Sequence, residues 1–74
     1  MTPIASDIIA AASYEFKTKT LILKFARGGT LYEYPDVPPH IYTNLLDATS
    51  PGSYFHAKIK NQYKGKKMET QADD

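Results

Sequence analysis

Two alternating segments joined by a pair of glycines are the feature that most constrains this fold. The first, LILKFA at residues 21–26, places two leucines and a phenylalanine on one parity, with isoleucine and lysine on the other. The second, TLYEY at residues 30–34, ends at Pro35, which cannot donate to a pairing ladder. Alternation at period two predicts strands, and glycine reaches positive φ without strain. The sequence therefore predicts a tight hairpin that turns at residues 27–29.

A third strand is predicted at residues 8–16, before the hairpin. Apolar and aromatic side chains occupy every second residue there, ending with Tyr14 and Phe16. The alanines at 10–12 favour a helix instead, since alanine is the best helix former, but the aromatic residues at period two favour a strand. Because the connections between the three strands are short, we expect an antiparallel meander.

The hydrophobic period changes from two to helical after Pro35. Apolar side chains at positions 37, 41, 45 and 48 predict a helix that ends near Ala48, with Asp36 as a candidate N-cap. Ser50 and Pro51 then have the residue types of an N-cap and a first helical residue. A second helix is therefore predicted from Pro51, with apolar side chains at 55, 59 and 63 on its buried face.

The predicted architecture is α+β: a three-stranded antiparallel meander covered by two short C-terminal helices, in the order β-β-β-α-α. One domain is expected over residues 1–63, and a flexible charged tail over residues 64–74, where no apolar periodicity continues. The side chains expected in the core are Leu21, Leu23, Phe25, Ile41, Leu45, Phe55 and Ile59.

Length and cysteine content limit how such a chain can be stabilised. It has 74 residues and no cysteine, so its core is small and disulfides and thiolate metal sites are excluded. Self-association into a homo-oligomer is the supplement we expect. The absence of cysteine fits a reducing cytoplasm, and no segment approaches the roughly 18 apolar residues that a membrane span requires. We therefore expect a cytoplasmic protein without a membrane partner.

No convincing catalytic set or metal site is present in the sequence. His40 and His56 are its two histidines, and no cysteine is available as a nucleophile. Ser50 lies near His56, but helix capping explains its position, and no orienting acid accompanies the pair. We therefore predict a protein that is not an enzyme and that uses no metal or cofactor.

The basic charge lies late in the chain, although the net charge is only +1. Residues 53–67 contain five lysines, among them Lys58 and Lys60, and no acidic residue. A solvated helix face that runs into a soluble tail accounts for this pattern, and so does a patch that faces phosphate. Arg27, at the predicted turn, has the same two interpretations.

Tyr32 and Tyr34 share one face of the predicted sheet, because strands repeat every two residues. The rings are either half-buried beneath the helices or available to stack on a base, a contact that contributes about 1–3 kcal/mol. The two interpretations are compatible if Tyr32 lies in the core and Tyr34, beside Pro35, lies at an exposed edge.

The order and spacing of four short motifs over residues 6–63 resemble the KTSC domain. The motifs are Tyr-x-Tyr at 32–34, Val-Pro at 37–38, Ala-x-Ser-x-Gly at 48–52, and an aromatic, an isoleucine and a basic residue at 55, 59 and 60. Two positions depart from the family pattern: His56 stands where a small polar amide is usual, and Lys60 where arginine is usual. Lysine cannot make the bidentate fork to phosphate that arginine makes.

The resemblance implies a module that occurs at the C-terminus of some lysyl-tRNA synthetases and alone in bacteria and phages, so RNA is an implied partner. We expect a non-catalytic binding module for a nucleotide-containing ligand, either RNA or a small nucleotide, including the case of a phage protein that sequesters nucleotides. The alternative is a protein-interaction or structural module whose tyrosines form the core or a homo-oligomer interface. The expected ligand-binding residues are Tyr32, Tyr34, Arg27, His56, Lys58 and Lys60.

Overall fold

The predicted hairpin is the centre of a larger antiparallel sheet. The computed structural model describes residues 1–68, which form five strands in the spatial order β1-β2-β3-β4-β5 and two helices. The strands are β1 (Thr2–Pro3), β2 (Ile9–Glu15), β3 (Thr20–Phe25), β4 (Leu31–Tyr34) and β5 (Lys66–Lys67). The helices are α1 (Pro39–Asp47) and α2 (Pro51–Phe55), and a π-helical segment (His56–Lys60, the π segment) continues α2. None of these described helices is long and apolar enough to cross a membrane.

The turn between β3 and β4 forms as the two glycines predict. Gly28 and Gly29 have φ of 75° and 66°, in the left-handed region that glycine enters without a Cβ clash. The pairing of β3 with β4 is antiparallel, and β2 pairs antiparallel with the other edge of β3. The predicted α+β class and the antiparallel arrangement of these three strands are therefore confirmed.

The sheet has five strands and not the predicted three. β1 pairs with β2, and β5 pairs with β4, so each edge gains a strand of two residues. The amide of Met68 extends the second pairing with a hydrogen bond of 2.8 Å to the carbonyl of Leu31. Two-residue strands are too short to show alternation, which explains why the hydrophobic pattern misses them. The rest of the predicted tail, residues 69–74, lies outside the described residues.

Both predicted helices are present, but only the second begins as predicted. The Ser50 hydroxyl accepts a hydrogen bond of 3.4 Å from the Ser53 amide at the start of α2. At α1 the N-cap is Pro38, without a side-chain cap, and Asp36 has a φ of 60°. Aspartate tolerates this left-handed conformation, so Asp36 serves the turn out of β4. The prediction of Asp36 as the N-cap is wrong.

The core lies between one face of the sheet and the helices. Six of the seven predicted core side chains are buried there: Leu21, Leu23, Ile41, Leu45, Phe55 and Ile59. Phe25 is the exception, because it ends β3, and its half-buried ring packs edge-on against Phe55 at 5.4 Å. The buried set also contains four residues that the sequence analysis did not assign to the core, namely Ile9, Ala12, Tyr34 and Val37.

Val37 anchors the segment that connects β4 to α1. Its side chain is fully buried, its amide donates to the Lys19 carbonyl at 2.9 Å, and its carbonyl accepts from the Tyr14 hydroxyl. The Tyr14 ring also stacks on Tyr42 of α1, with centroids 5.5 Å apart. These contacts fix the start of α1 against β2 and hold the helix layer on the sheet.

Two adjacent leucines on α1 test this account of the core. Leu45 is fully buried, whereas Leu46 is 38% exposed. Leu45→Ala should lower the free energy of unfolding by about 2–5 kcal/mol, because it removes buried methyl groups and leaves a cavity. Leu46→Ala, the matched control, should change it by less than about 1 kcal/mol. Urea denaturation measures both values, and equal losses would contradict the assignment of the buried face.

Candidate functional site

The two tyrosines of β4 occupy different environments. Tyr34 is buried, with 5% of its surface exposed, and its ring lies edge-on to Phe55 at 6.1 Å. Tyr32 is half-buried and contacts the Phe25 ring edge-on at 5.5 Å. The arrangement that would make the two interpretations compatible is thus reversed, because Tyr34 is buried in the core and Tyr32 is the more exposed of the two.

Gly65 covers the Tyr34 ring with its backbone. A Cβ atom added at Gly65 would overlap the ring, at 2.6 Å from Cζ and 3.0 Å from the hydroxyl oxygen of Tyr34. The position therefore requires a residue without a side chain. This contact closes residues 64–68 over the end of β4, which is why Tyr34 is buried although Pro35 follows it.

Tyr34 is the one buried tyrosine within residues 1–68. Within residues 1–68, hydrogen bonds reach the hydroxyls of Tyr14 and Tyr42 but not that of Tyr34. Burial raises the pKa of Tyr34 above the ordinary value of 10.0, and the neighbouring Tyr32 raises this pKa further.

A cavity of about 450 Å³ lies beside this cover. We call it the lysine pocket, and its lining residues are Glu33, Pro35, Lys64, Gly65 and Lys66. In the sheet, Lys66 lies opposite Glu33, and Lys67 lies opposite Tyr32. The fold therefore brings late-chain lysines to the strand that carries the tyrosines.

The other predicted cations lie elsewhere. Arg27 is exposed in the turn between β3 and β4, and Lys58 and Lys60 are exposed on the π segment. None of the three lines the lysine pocket. The cations that the structure places beside Tyr32 are thus not those that the sequence analysis selected.

The lysines at 64, 66 and 67 were missed because the sequence analysis assigned them to a tail. The segment KGKK, residues 64–67, contains no alternation and no hydrophobic residue that would predict a strand. Its one usable signal is Gly65, since glycine is the residue type that permits close approach of backbone to another group.

His56 lines a different cavity, of about 580 Å³, which we call the hydroxyl cleft. The polar side chains of its lining are Ser6, Asp7, Thr49, Ser50, Ser53 and His56. The Ser6 hydroxyl accepts from the amides of Ile8 and Ile9 at 3.1 and 3.3 Å, so it completes the local backbone, as Ser50 does at α2. No lysine or arginine of the described chain lines this cleft, which makes it a poor site for phosphate. Within residues 1–68, no three His, Asp or Glu side chains converge to hold a metal ion.

Comparison with known proteins decides the family. Residues 5–63 match the KTSC domain. The chain belongs to the KTSC domain family. The resemblance seen in the motifs is therefore confirmed. A crystal structure of a KTSC domain protein from Yersinia pestis is similar with a TM-score of 0.86 at 28% identity, covering 92% of this chain and 94% of that one.

Relatives of this KTSC domain are both small proteins and parts of larger ones. A protein of Tsukamurella paurometabola is 36% identical over 64 residues, which cover 86% of this chain and 94% of that protein. A lysine–tRNA ligase of a Nostoc species is 45% identical over 58 residues, which are 78% of this chain but 10% of the ligase. The KTSC chain thus spans about a tenth of the ligase that it matches. Neither the T. paurometabola nor the Y. pestis protein is named for an enzymatic activity.

Gly65→Ala tests the cover over Tyr34. The added Cβ would overlap the Tyr34 ring, so residues 64–68 should detach from β4 while the rest of the sheet stays intact. Hydrogen exchange at the Met68 amide, which is bonded to Leu31 at 2.8 Å, should become faster. The Phe25 amide, bonded to Thr30 at 2.8 Å, should keep its protection. Lys64→Ala is the neighbouring control, and an equal acceleration in that variant would contradict the role of Gly65.

Removal of single hydroxyls tests the environment of Tyr34. Tyr34→Phe removes a hydroxyl that has no partner within residues 1–68, so the free energy of unfolding at neutral pH should change by less than about 1 kcal/mol. Tyr14→Phe removes the donor to the Val37 carbonyl and should be clearly destabilising. Urea denaturation of the two variants ranks them, and a larger loss for Tyr34→Phe than for Tyr14→Phe would be the contrary result.

The same variant should respond differently to alkaline pH. Because the pKa of Tyr34 is higher in the folded state than its ordinary 10.0, this group stabilises the fold fully below pH 10.0, and that stabilisation is lost as the pH rises through the folded pKa. Tyr34→Phe should therefore weaken the decline of stability above pH 10.0. Part of the decline should remain, because burial also raises the pKa of Tyr14. An unchanged pH dependence in Tyr34→Phe would contradict this assignment.

Proposed function

We propose that this KTSC domain is a non-catalytic module that binds a nucleotide-containing ligand at the lysine pocket. The observation that carries the proposal is the pairing of β5 with β4, which sets Lys66 and Lys67 beside Glu33 and Tyr32. Cations and a cavity meet at this edge of the sheet, and the half-buried ring of Tyr32 lies next along β4, on the opposite parity to Glu33 and outside the lining of the pocket. That combination suits a ligand that carries both phosphate and a base.

Each group at the lysine pocket has a distinct role in the proposed complex. Lys64 and Lys66, both exposed, neutralise phosphate as point charges, since lysine lacks the planar fork of arginine. Tyr32 lies outside the lining of the pocket, so a base stacks on its half-buried ring only if the ligand extends past the edge of β4, and that contact is worth about 1–3 kcal/mol. The Glu33 carboxylate accepts a hydrogen bond from a sugar hydroxyl or a base amino group. Tyr34 supports the pocket from the core and does not touch the ligand.

The size of the lysine pocket supports a ligand of about one nucleotide. Its volume of about 450 Å³ falls in the range of about 300–1,000 Å³ that is usual for small-ligand sites. A free nucleotide, including one that the protein sequesters, and a single unit of an RNA strand both fit this description. The relative named as a lysine–tRNA ligase favours RNA, and an RNA partner implies a cytoplasmic location.

A structural role for the tyrosines is the second candidate, and the burial of Tyr34 favours it. In this alternative, the tyrosines hold the sheet and the helices together, and the lysines confer solubility. The domain then acts through contacts with other proteins and has no affinity for nucleotides.

Calorimetric titration separates the two candidates. The protein is titrated with mixed tRNA, with mononucleotides and with cyclic dinucleotides, and the binding of at least one class supports the proposal. Lys66→Ala should weaken that binding about 3- to 10-fold and, for RNA, reduce the slope of log affinity against log salt by about one. Lys17→Ala, which removes the same charge in the exposed turn between β2 and β3, should leave the affinity unchanged.

Two results would overturn the proposed function. Absence of heat and of any chemical-shift change with all three ligand classes would favour the structural alternative. Equal weakening by Lys17→Ala and Lys66→Ala would mean that binding depends on overall charge and not on the lysine pocket.

A further inference from the structure

The face of the sheet turned away from the helices carries an ordered set of side chains. Because side chains alternate along strands, the parity opposite to the buried one points outward on β2, β3 and β4. Its members are Ala11, Ser13, Glu15, Thr20, Ile22, Lys24, Leu31 and Glu33. Glu15 and Lys24 are exposed and the others are half-buried by their neighbours. Within residues 1–68 the helices pack on the other face, so none of them covers this one.

Four of these residues form a square across β3 and β4. Ile22 is paired with Glu33, and Lys24 is paired with Leu31. The two apolar residues therefore occupy one diagonal, and the two opposite charges occupy the other. Strands lie about 4.8 Å apart and the two-residue repeat is about 6.7 Å, so the sides of the square are similar in length.

We propose that this face docks a second copy of the chain. A two-fold axis along the diagonal from Ile22 to Leu31 exchanges the other two corners, so Lys24 of each copy faces Glu33 of its partner. Each apolar residue on the axis meets its own counterpart. The strands of the two sheets then cross steeply, as in orthogonal sheet packing. The contact is isologous and closes at two copies.

Charge complementarity and apolar burial both favour a second copy of the chain as the partner on this face. Two reciprocal Lys24–Glu33 pairs enclose an apolar centre, so the surface is complementary to itself and fixes its own register. Within one chain, Lys24 and Glu33 are not directly opposite each other: Lys24 lies opposite Ala11 and Leu31, and Glu33 lies opposite Ile22 and Lys66, so Lys66 competes for the Glu33 carboxylate. Glu15, which is paired with Thr20 on the outer parity, lies on the same axis. The axis therefore brings Glu15 of one copy towards Glu15 of the other. That like-charge contact and the narrow sheet make the dimer weak and concentration-dependent.

Analytical ultracentrifugation without nucleotides tests the dimer. The mass of the natural chain should rise from that of the monomer towards twice that value as the concentration increases from micromolar to millimolar. Lys24→Glu alone and Glu33→Lys alone place like charges at both pairs, and each should weaken dimerisation about tenfold or more. Glu15→Gln should strengthen it.

The decisive sample is an equimolar mixture of Lys24→Glu with Glu33→Lys. In the mixed dimer both pairs again join opposite charges, so association should return to near the natural strength. An ion pair confined to one chain would not be restored by mixing. Lys58→Glu makes the same charge change away from this face, and it should dimerise like the natural chain.

Three results would overturn the inference. They are a monomer at every concentration, a failure of the mixture to recover, and a loss in Lys58→Glu as large as in Lys24→Glu. Thermal unfolding of each variant shows whether it is folded. If Lys24→Glu unfolds, Lys24→Gln replaces it, and Lys24→Gln must weaken the dimer more than Lys58→Gln does.

Discussion

The helices cover only one face of the sheet, and the rest of this structure depends on that one-sided packing. The layer is held where the chain leaves the sheet, because Val37 is buried and both its amide and its carbonyl are hydrogen-bonded to the sheet side. The buried strand residues Ile9, Ala12, Leu21, Leu23 and Tyr34 lie on the parity that faces the helices, and the other parity is left to solvent or to a partner. The edges are closed by two-residue strands, and the lysines of β5 discourage pairing with other chains at that edge.

The same one-sided packing explains why the two tyrosines of the Tyr-x-Tyr motif differ. Both project to the helix side, but a ring there is accessible only where nothing else covers it. Gly65 lies against the ring of Tyr34, which is buried, whereas Tyr32 is half-buried. The family match ends at residue 63, so both this cover and the lysines beside it come from outside the matched region. The lysine pocket is therefore a feature of this chain, and membership of the family does not imply it.

Local rules account for the parts of the fold that were predicted from the sequence. Alternation and a Gly-Gly turn specify the hairpin, and Ser50 with Pro51 specifies the start of α2. The predictions fail where one residue type or one spacing suits two different local structures. Aspartate is suited both to an N-cap and to positive φ, so Asp36 was assigned to the wrong one of two roles. Likewise, apolar residues four apart at 55 and 59 fit an α-helix, and they do not distinguish it from the π segment that forms there.

The candidate site was harder to predict than the fold because its parts are distant in sequence. Glu33 and Lys66 meet only through the pairing of β5 with β4, and a strand of two residues leaves no periodic signal. Selecting cations because the basic charge lies late in the chain favoured Lys58 and Lys60, which lie on the exposed π segment. The sequence therefore predicted a site of tyrosines and lysines, but finding which lysines lie beside β4 required tertiary structure.

The two proposals meet at Glu33, and this makes them dependent on each other. Glu33 lines the lysine pocket and also forms one corner of the square on the outer face. A carboxylate that accepts hydrogen bonds from a ligand is less able to pair with Lys24 of a second copy. Coupling between two binding equilibria is reciprocal, so any factor by which the ligand weakens the dimer is the factor by which dimerisation weakens ligand binding. If both proposals hold, the monomer binds the nucleotide better than the dimer does, and the dimer accumulates when the ligand is scarce.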